Sequence, residues 1–174
     1  MKITSLICIL LFIASPTHAD ELIERTALNG KLSLMIPARF SPMPRHLLEL
    51  KYPSSKRPAE VLSDETGGVS IAFNHTPVKM SPAQVKEAHA AMSKMFHNMY
   101  PSAKWIRDET KNIKGRPFMV FELVTPAMDT KIHNIMYGTS VDNRFLLVSF
   151  NTTVEQAGQW LPIGKRMMDS ISIK

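Results

Sequence analysis

The sequence predicts an α+β domain in which helices flank an antiparallel sheet. Three observations carry that reading. Short β-prone runs follow one another across turn residues in the second half of the chain. One segment has a complete helix-start signature. A second apolar-periodic segment closes the C-terminus. Consecutive strands joined by short turns pair antiparallel, and their apolar face needs helices to cover it.

Residues 1–19 read as a cleavable export signal. Lys2 is the positive start, Leu6 to Ala14 is an unbroken apolar run, Pro16 breaks it, and Thr17-His18-Ala19 supplies small residues for cleavage. A membrane anchor needs about 20 apolar residues, and this run is half that. Cys8, the single cysteine, falls inside the run, so the expected mature domain, 20–174, has no thiol and no disulfide. Its stability then rests on one apolar core, as its length allows. Without Lys2 the chain keeps 20 Lys and Arg against 15 Asp and Glu, a net charge of +5. Such a balance suits acidic proteins or anionic lipid, and it also simply maintains solubility. Export argues against nucleic acid. A periplasmic or secreted location is expected, with no stable membrane insertion after cleavage.

Along the expected mature chain, Lys31 to Ile36 alternates, with Leu32, Leu34 and Ile36 on one face, between the turn Asn29-Gly30 and Pro37. His46 to Tyr52 alternates through Leu48 and Leu50 and reads as a further strand. Pro37, Pro42 and Pro44 make the stretch between them extended and irregular. Ala59 to Ser63 and Val69 to Asn74 bracket Asp64-Glu65-Thr66-Gly67-Gly68 as a hairpin, and Pro77 is expected to stop the second strand. Ser81, Pro82 and Gln84 then form an N-cap, a first helical position and a capping box. Val85, Ala88, Met92, Met95, Phe96 and Met99 follow on one helical stripe. This stripe is read as core, the other reading being an adaptable methionine-rich groove. Pro101 ends the helix.

Four strands follow: Lys104 to Asp108, Pro117 to Val124, Lys131 to Val141 and Arg144 to Asn151. They turn at Asn112 to Gly115 and at Asp142-Asn143. Phe145 to Val148 is apolar without alternation, as in a central strand covered on both faces. A last helix begins near Thr153, its apolar side made by Trp160, Leu161, Met167, Met168 and Ile171, with Pro162 expected to kink or restart it.

Catalytic patterns are sparse. His46, His75, His89, His97 and His133 show no metal-binding spacing, and His89 and His97 stand two helical turns apart, too far to share an ion. Asp129, His133 and Ser140 have no spacing with triad logic. Gly67-Gly68 lacks the lysine of a phosphate loop. No Asp or Glu stands in a distinctive setting. No catalytic residue, metal ligand or cofactor is therefore expected. The distinctive charge lies between Arg39 and Arg57. Arg39, Arg45, Lys51, Lys56 and Arg57 face only Glu49, with Tyr52 and several prolines interleaved. Such a region is either a recognition surface for an acidic protein partner or an ordinary solvated loop. The partner-binding candidates are Arg39, Arg45, Lys51, Tyr52, Lys56 and Arg57.

The strand ending Ile36-Pro37 with Phe40 beyond it, the long central helix, the strand after Gly115-Arg116-Pro117, the hairpin through Tyr137 and Phe145 and the closing Met168-Asp169-Ser170-Ile171 resemble the PsbP-like and DcrB-like domains. The resemblance spans about Leu28 to Ile171 and rests on element order. It implies an antiparallel sheet sandwiched by helices and a binding or scaffolding role without catalytic residues. Some members are cytoplasmic chaperones for type VI secretion effectors, and others are envelope lipoproteins. This chain has an export signal and no lipobox. What the resemblance opens is a periplasmic immunity protein against a type VI toxin, or an envelope accessory factor. Two readings from other classes stay open: a carrier of a small apolar ligand or lipid, and a hydrolase with an unrecognised site.

Overall fold

The structure is a computed structural model that describes residues 21–53 and 57–174. The expected leader and Lys56 lie outside the described residues.

Strands β1 (Leu22–Ala27) and β2 (Leu32–Pro37) form an antiparallel hairpin. Its turn takes three successive positive φ angles, at Leu28, Asn29 and Gly30. The sequence reading missed β1, whose burial alternates from Ile23 to Ala27 but whose middle inward position is Arg25, so the residue types do not alternate. The two-residue β3 (Ser41–Pro42) leads to α1 (Arg45–Lys51). This helix corrects the expected strand at His46 to Tyr52. Its inward side chains are Leu47, Leu48 and Tyr52, which pack on Met43, Val61 and Ala72. That spacing of one and four is helical, whereas Leu50 is 76% exposed. Arg45 and Glu49 pair one turn apart.

Strands β4 (Glu60–Ser63) and β5 (Ser70–Lys79) make the expected hairpin. Pro77 does not stop β5. It sits where pairing to the next strand shifts register between His75 and Lys79, so its missing N–H breaks no ladder bond. After a single 3-10 turn, Pro82–Gln84, comes α2 (Val85–Met99). The Ser81 N–H donates to Gln84 Oε1 at 2.8 Å, as the capping box requires. The α2 stripe is core only in part. Val85 and Phe96 are buried, but Met95 and Met99 remain 45% and 55% exposed.

Strands β6 (Lys104–Ile113), β7 (Arg116–Pro126), β8 (Lys131–Val141) and β9 (Arg144–Thr153) form a meander. Its two-residue turns, Lys114-Gly115 and Asp142-Asn143, have positive φ throughout, the backbone twist a tight hairpin demands. Helix α3 (Ala157–Asp169) runs unbroken through Pro162, and β10 (Ser172–Ile173) ends the chain. Thr153 does not cap α3. It closes the turn before it through the Gln156 N–H, and Gln156 is the N-cap.

The main sheet has the order β3-β4-β5-β9-β8-β7-β6, and β1-β2-β10 form a separate small sheet. The N-terminal hairpin therefore covers the main sheet rather than extending it. One face of the main sheet, through Phe73, Phe118, Val120, Ile135, Val148 and Phe150, packs against α3 and the small sheet. The opposite face packs under α2 through Met119, Phe121 and Leu123 and under α1 through Ala72. Strand β9 is central, but against the expectation from Phe145 to Val148 it is fully covered on one side only: Leu146 and Val148 are buried, while Phe145 and Leu147 are half-buried. Among the described residues no helix is long and apolar enough to cross a membrane.

Candidate functional site

The helical layer over the second face is incomplete. Along β9 every residue facing α3 from Leu146 to Thr152 is buried, while Phe145, Leu147, Ser149, Asn151 and Thr153 on the other side are only half-buried. The same holds for Ile132, Asn134 and Met136 of β8. Helix α1 covers β4 and β5, α2 covers β7, and the floor between them stays open.

Three cavities run along this floor. The first, of about 360 Å³, is lined by Lys51, Tyr52, Ser70, Thr125, Ala127, Ile132, Asn134 and Asn151. A narrow one of about 50 Å³ joins Asn134 and Met136 to Tyr100. The third, of about 200 Å³, lies among Met99, Tyr100, Pro101, Ala103 and Pro126. Thr125 borders all three, so they form one trough. A roomier depression of about 550 Å³ lies between α3 and β2. Most of its polar groups are already paired: Asp169 with Lys111 and Tyr137, Ser170 with the Met35 N–H, and Lys165 with Glu122.

The residues expected to bind a partner divide between the two faces. Arg39 lies with its guanidinium 4.8 Å above the Trp160 ring of α3, on the side opposite α1. Arg45 Nε donates to Glu49 Oε1 at 2.9 Å, and Arg57 reaches the same carboxylate oxygen at 4.0 Å. Arg57 Nε also donates to the Tyr52 carbonyl at 2.8 Å. Lys51 turns inward and donates to the Gly67 carbonyl. Burial pushes its ammonium below the ordinary lysine range, and Asp64 offsets this in part. Tyr52 walls the trough, and burial raises its phenol. Arg45, Lys51, Tyr52 and Arg57 thus share the α1 end of the trough, and Arg39 does not join them.

Two polar clusters escaped the sequence reading. Glu122 is 1% exposed. Arg107 Nε donates to its Oε2 at 2.5 Å, His133 Nε2 lies 2.8 Å from Oε1, and Lys165 Nζ lies 3.5 Å from Oε1. Burial alone would raise this carboxyl, but the His133 and Arg107 hydrogen bonds and the nearby positive charges hold it below the usual range. Glu122 is a distinctive carboxylate after all. Its signal was one charge inside the apolar run Phe118 to Val124. Tyr137 next to it is pushed up to about 12 by burial and by its bond to Asp169.

The second cluster lies between α2 and β6. Ser93 Oγ donates to Asp108 Oδ2 at 2.6 Å, and His97 Nε2 lies 3.0 Å from the same oxygen. His89 Nε2 approaches Oδ1 at 2.8 Å without hydrogen-bond alignment. The rings stack on Trp105 and Phe121. His89 and His97, two turns apart, thus take opposite oxygens of one carboxylate. Burial would raise Asp108, and Ser93 and the histidines hold it below its ordinary value. Asp108→Asn should cost about 1 kcal/mol, read as a lower denaturant midpoint with unchanged slope.

His133 faces α3, whereas Ser140 faces the other side and donates to the Met80 carbonyl at 2.5 Å. They cannot act as one catalytic unit. Among the described residues no group of His, Asp or Glu is arranged to hold a metal ion.

No family model and no curated protein matches the chain. Solved structures do. The chain is similar to the cyanobacterial PsbP (CyanoP) of Synechocystis sp. PCC 6803, with a TM-score of 0.63 at 10% identity over 94% of this chain and 99% of that one. It is similar to the Ran-binding protein Mog1p of Saccharomyces cerevisiae, with a TM-score of 0.55 at 11% identity over 88% and 95%. It is also similar to LpqN of Mycobacterium tuberculosis, described as involved in cell envelope biogenesis, at 0.52 and 9% over 88% and 91%. The likeness is one of fold, and the expected PsbP-like α+β sandwich is what the chain adopts.

Proposed function

We propose that this chain is an exported, non-catalytic binding protein whose partner is a protein with an acidic surface. The observation that carries the reading is the trough: a sheet floor left half-covered between two helices, with the basic α1 end at its border. A fully packed domain would close such a face, so an open one on a rigid sheet suits docking. The net charge of +5 that remains without Lys2 favours an acidic partner. The cavities open along the surface, the form of a docking groove rather than of a chamber enclosing lipid.

The fold itself does not choose the task. Its similar structures include a Ran-binding protein and an envelope protein, which supports partner binding as a use of this architecture. Within this reading, residues 1–19 are removed on export, and the protein acts as an immunity protein against a delivered toxin or as an envelope accessory factor.

The test is kinetic. A partner captured from a periplasmic extract by crosslinking is purified and its binding followed by surface plasmon resonance. Reversing Arg45 and Arg57 to Glu should slow association about tenfold at low salt, with a smaller effect at high salt. Lys51 is left in place because its ammonium ties α1 to the Gly67 turn. An unchanged association rate rejects the α1 end as the recognition surface.

A further inference from the structure

The trough floor holds polar groups that the fold leaves unused. Asn134, Asn151 and Ser70 stand opposite one another on β8, β9 and β5, in one row across three neighbouring strands. Asn134 Nδ2 is spent on the Leu123 and Ile132 carbonyls and on Thr125 Oγ1, at 3.3, 3.0 and 3.1 Å. Its Oδ1 remains a free acceptor. The Asn151 carboxamide makes no side-chain hydrogen bond among the described residues. Ser70 is fully buried, and although it lies close enough to the Tyr52 phenol to offset part of the effect of burial there, its Oγ makes no well-formed hydrogen bond. Buried polar groups are nearly always paired, and an unmade bond costs about 1–3 kcal/mol. Ser70 is the buried one of the three, Asn134 and Asn151 being half-buried, and together they line one side of a 360 Å³ cavity, a place that a ligand completes.

We propose that this row reads the main chain of an extended segment of the protein partner, an inference that rests on the binding function above. Asn151 and Ser70 can each donate and accept, and Asn134 Oδ1 can accept, which matches the alternating N–H and C=O of a polypeptide. Asn134, Asn151 and Ser70 carry no fixed charge, so this row selects neither an anion nor a cation. Strands lie about 4.8 Å apart, so the row spans about 10 Å, the reach of about three extended residues. Beyond Thr125 the trough enters the apolar space among Met99, Tyr100, Pro101 and Pro126, which receives an apolar side chain of the same segment. Main-chain bonds supply affinity and side-chain pockets supply selectivity in this mode.

The test uses the purified full chain against a random decapeptide library on phage. Enriched peptides are synthesised and their affinities measured by fluorescence polarisation. Asn151→Leu should raise Kd about tenfold, and Ser70→Ala about threefold to tenfold. Asn151 makes no side-chain hydrogen bond in the free protein and Ser70 Oγ makes no well-formed one, so the melting temperature should hold. Asn151→Ala serves if the leucine variant misfolds. Peptides that keep their affinity for both Asn151 variants overturn the row. If those same peptides weaken only when Arg45 and Arg57 are reversed, the row fails while the acidic-partner reading stands. A library that yields no peptide above the Asn151→Leu background also overturns it.

Discussion

Glu122→Ala should destabilise the domain by about 3–5 kcal/mol, the usual cost of removing one partner from a buried ion pair. The carboxylate is 1% exposed and is where Arg107, His133 and Lys165 converge. Truncation leaves the Arg107 guanidinium over the Tyr137 ring without its carboxylate, and its Nη2 is already buried with no hydrogen-bond partner among the described residues. Such a loss is a large share of a domain's total stability. Glu122→Gln keeps the shape and part of the hydrogen bonding, so it should cost less. Urea titration of the three proteins orders them, and an alanine variant as stable as wild type would refute the assignment.

The same carboxylates set the acid limit. Glu122, Asp108 and Asp169 are all held below their ordinary values in the folded state. Over the ordinary carboxylate range the unfolded chain therefore binds more protons than the folded one. Their contribution is complete above about pH 5 and is lost as pH falls through the folded values. The melting temperature should drop steeply below about pH 4, and less steeply in Glu122→Gln, which has one such group fewer.

What the sequence disclosed and what it concealed follow one physical rule. Features set by neighbouring residues could be read directly. Asn29-Gly30 and Asp142-Asn143 tolerate positive φ and sit at turns, and Ser81 to Gln84 close the capping box. The α1 segment failed because seven residues are too few to separate a period of two from one of 3.6. The site failed for a different reason. Tyr52, Ser70, Tyr100, Asn134 and Asn151 come from five separate segments, and strand register alone brings Ser70, Asn151 and Asn134 into line. Glu122 and His133 meet in the same way. Glu122 pairs with Ile135, and His133 stands two residues along the same face, a diagonal contact no local pattern encodes.

Gly164→Ala should be the most harmful change of a single methyl group. Gly164 lies in the middle of α3, where alanine is intrinsically better by about 0.8–1.0 kcal/mol. A residue chosen against that preference has a spatial reason. A β-carbon built there would lie 2.6 Å from Cδ1 and Cζ of Phe150, and closer still to Cε1. Phe150 is fully buried in the main core beside Ile71, Ile135 and Met167, so its ring has no free space to move into. Overpacking of this kind costs about 1–3 kcal/mol, more than the helix gain returns, and valine should be worse than alanine. Gly158, on the same helix, has nothing within 4 Å of such a carbon. Gly158→Ala should therefore be neutral or stabilising, which isolates the clash from helix propensity. The decisive measurement is a double-mutant cycle with Phe150→Leu, which removes the ring. If the clash is the cause, Gly164→Ala costs clearly less in that background, with a coupling of about 1 kcal/mol or more. Additive losses would mean that α3 does not owe its close seat on β9 to this glycine.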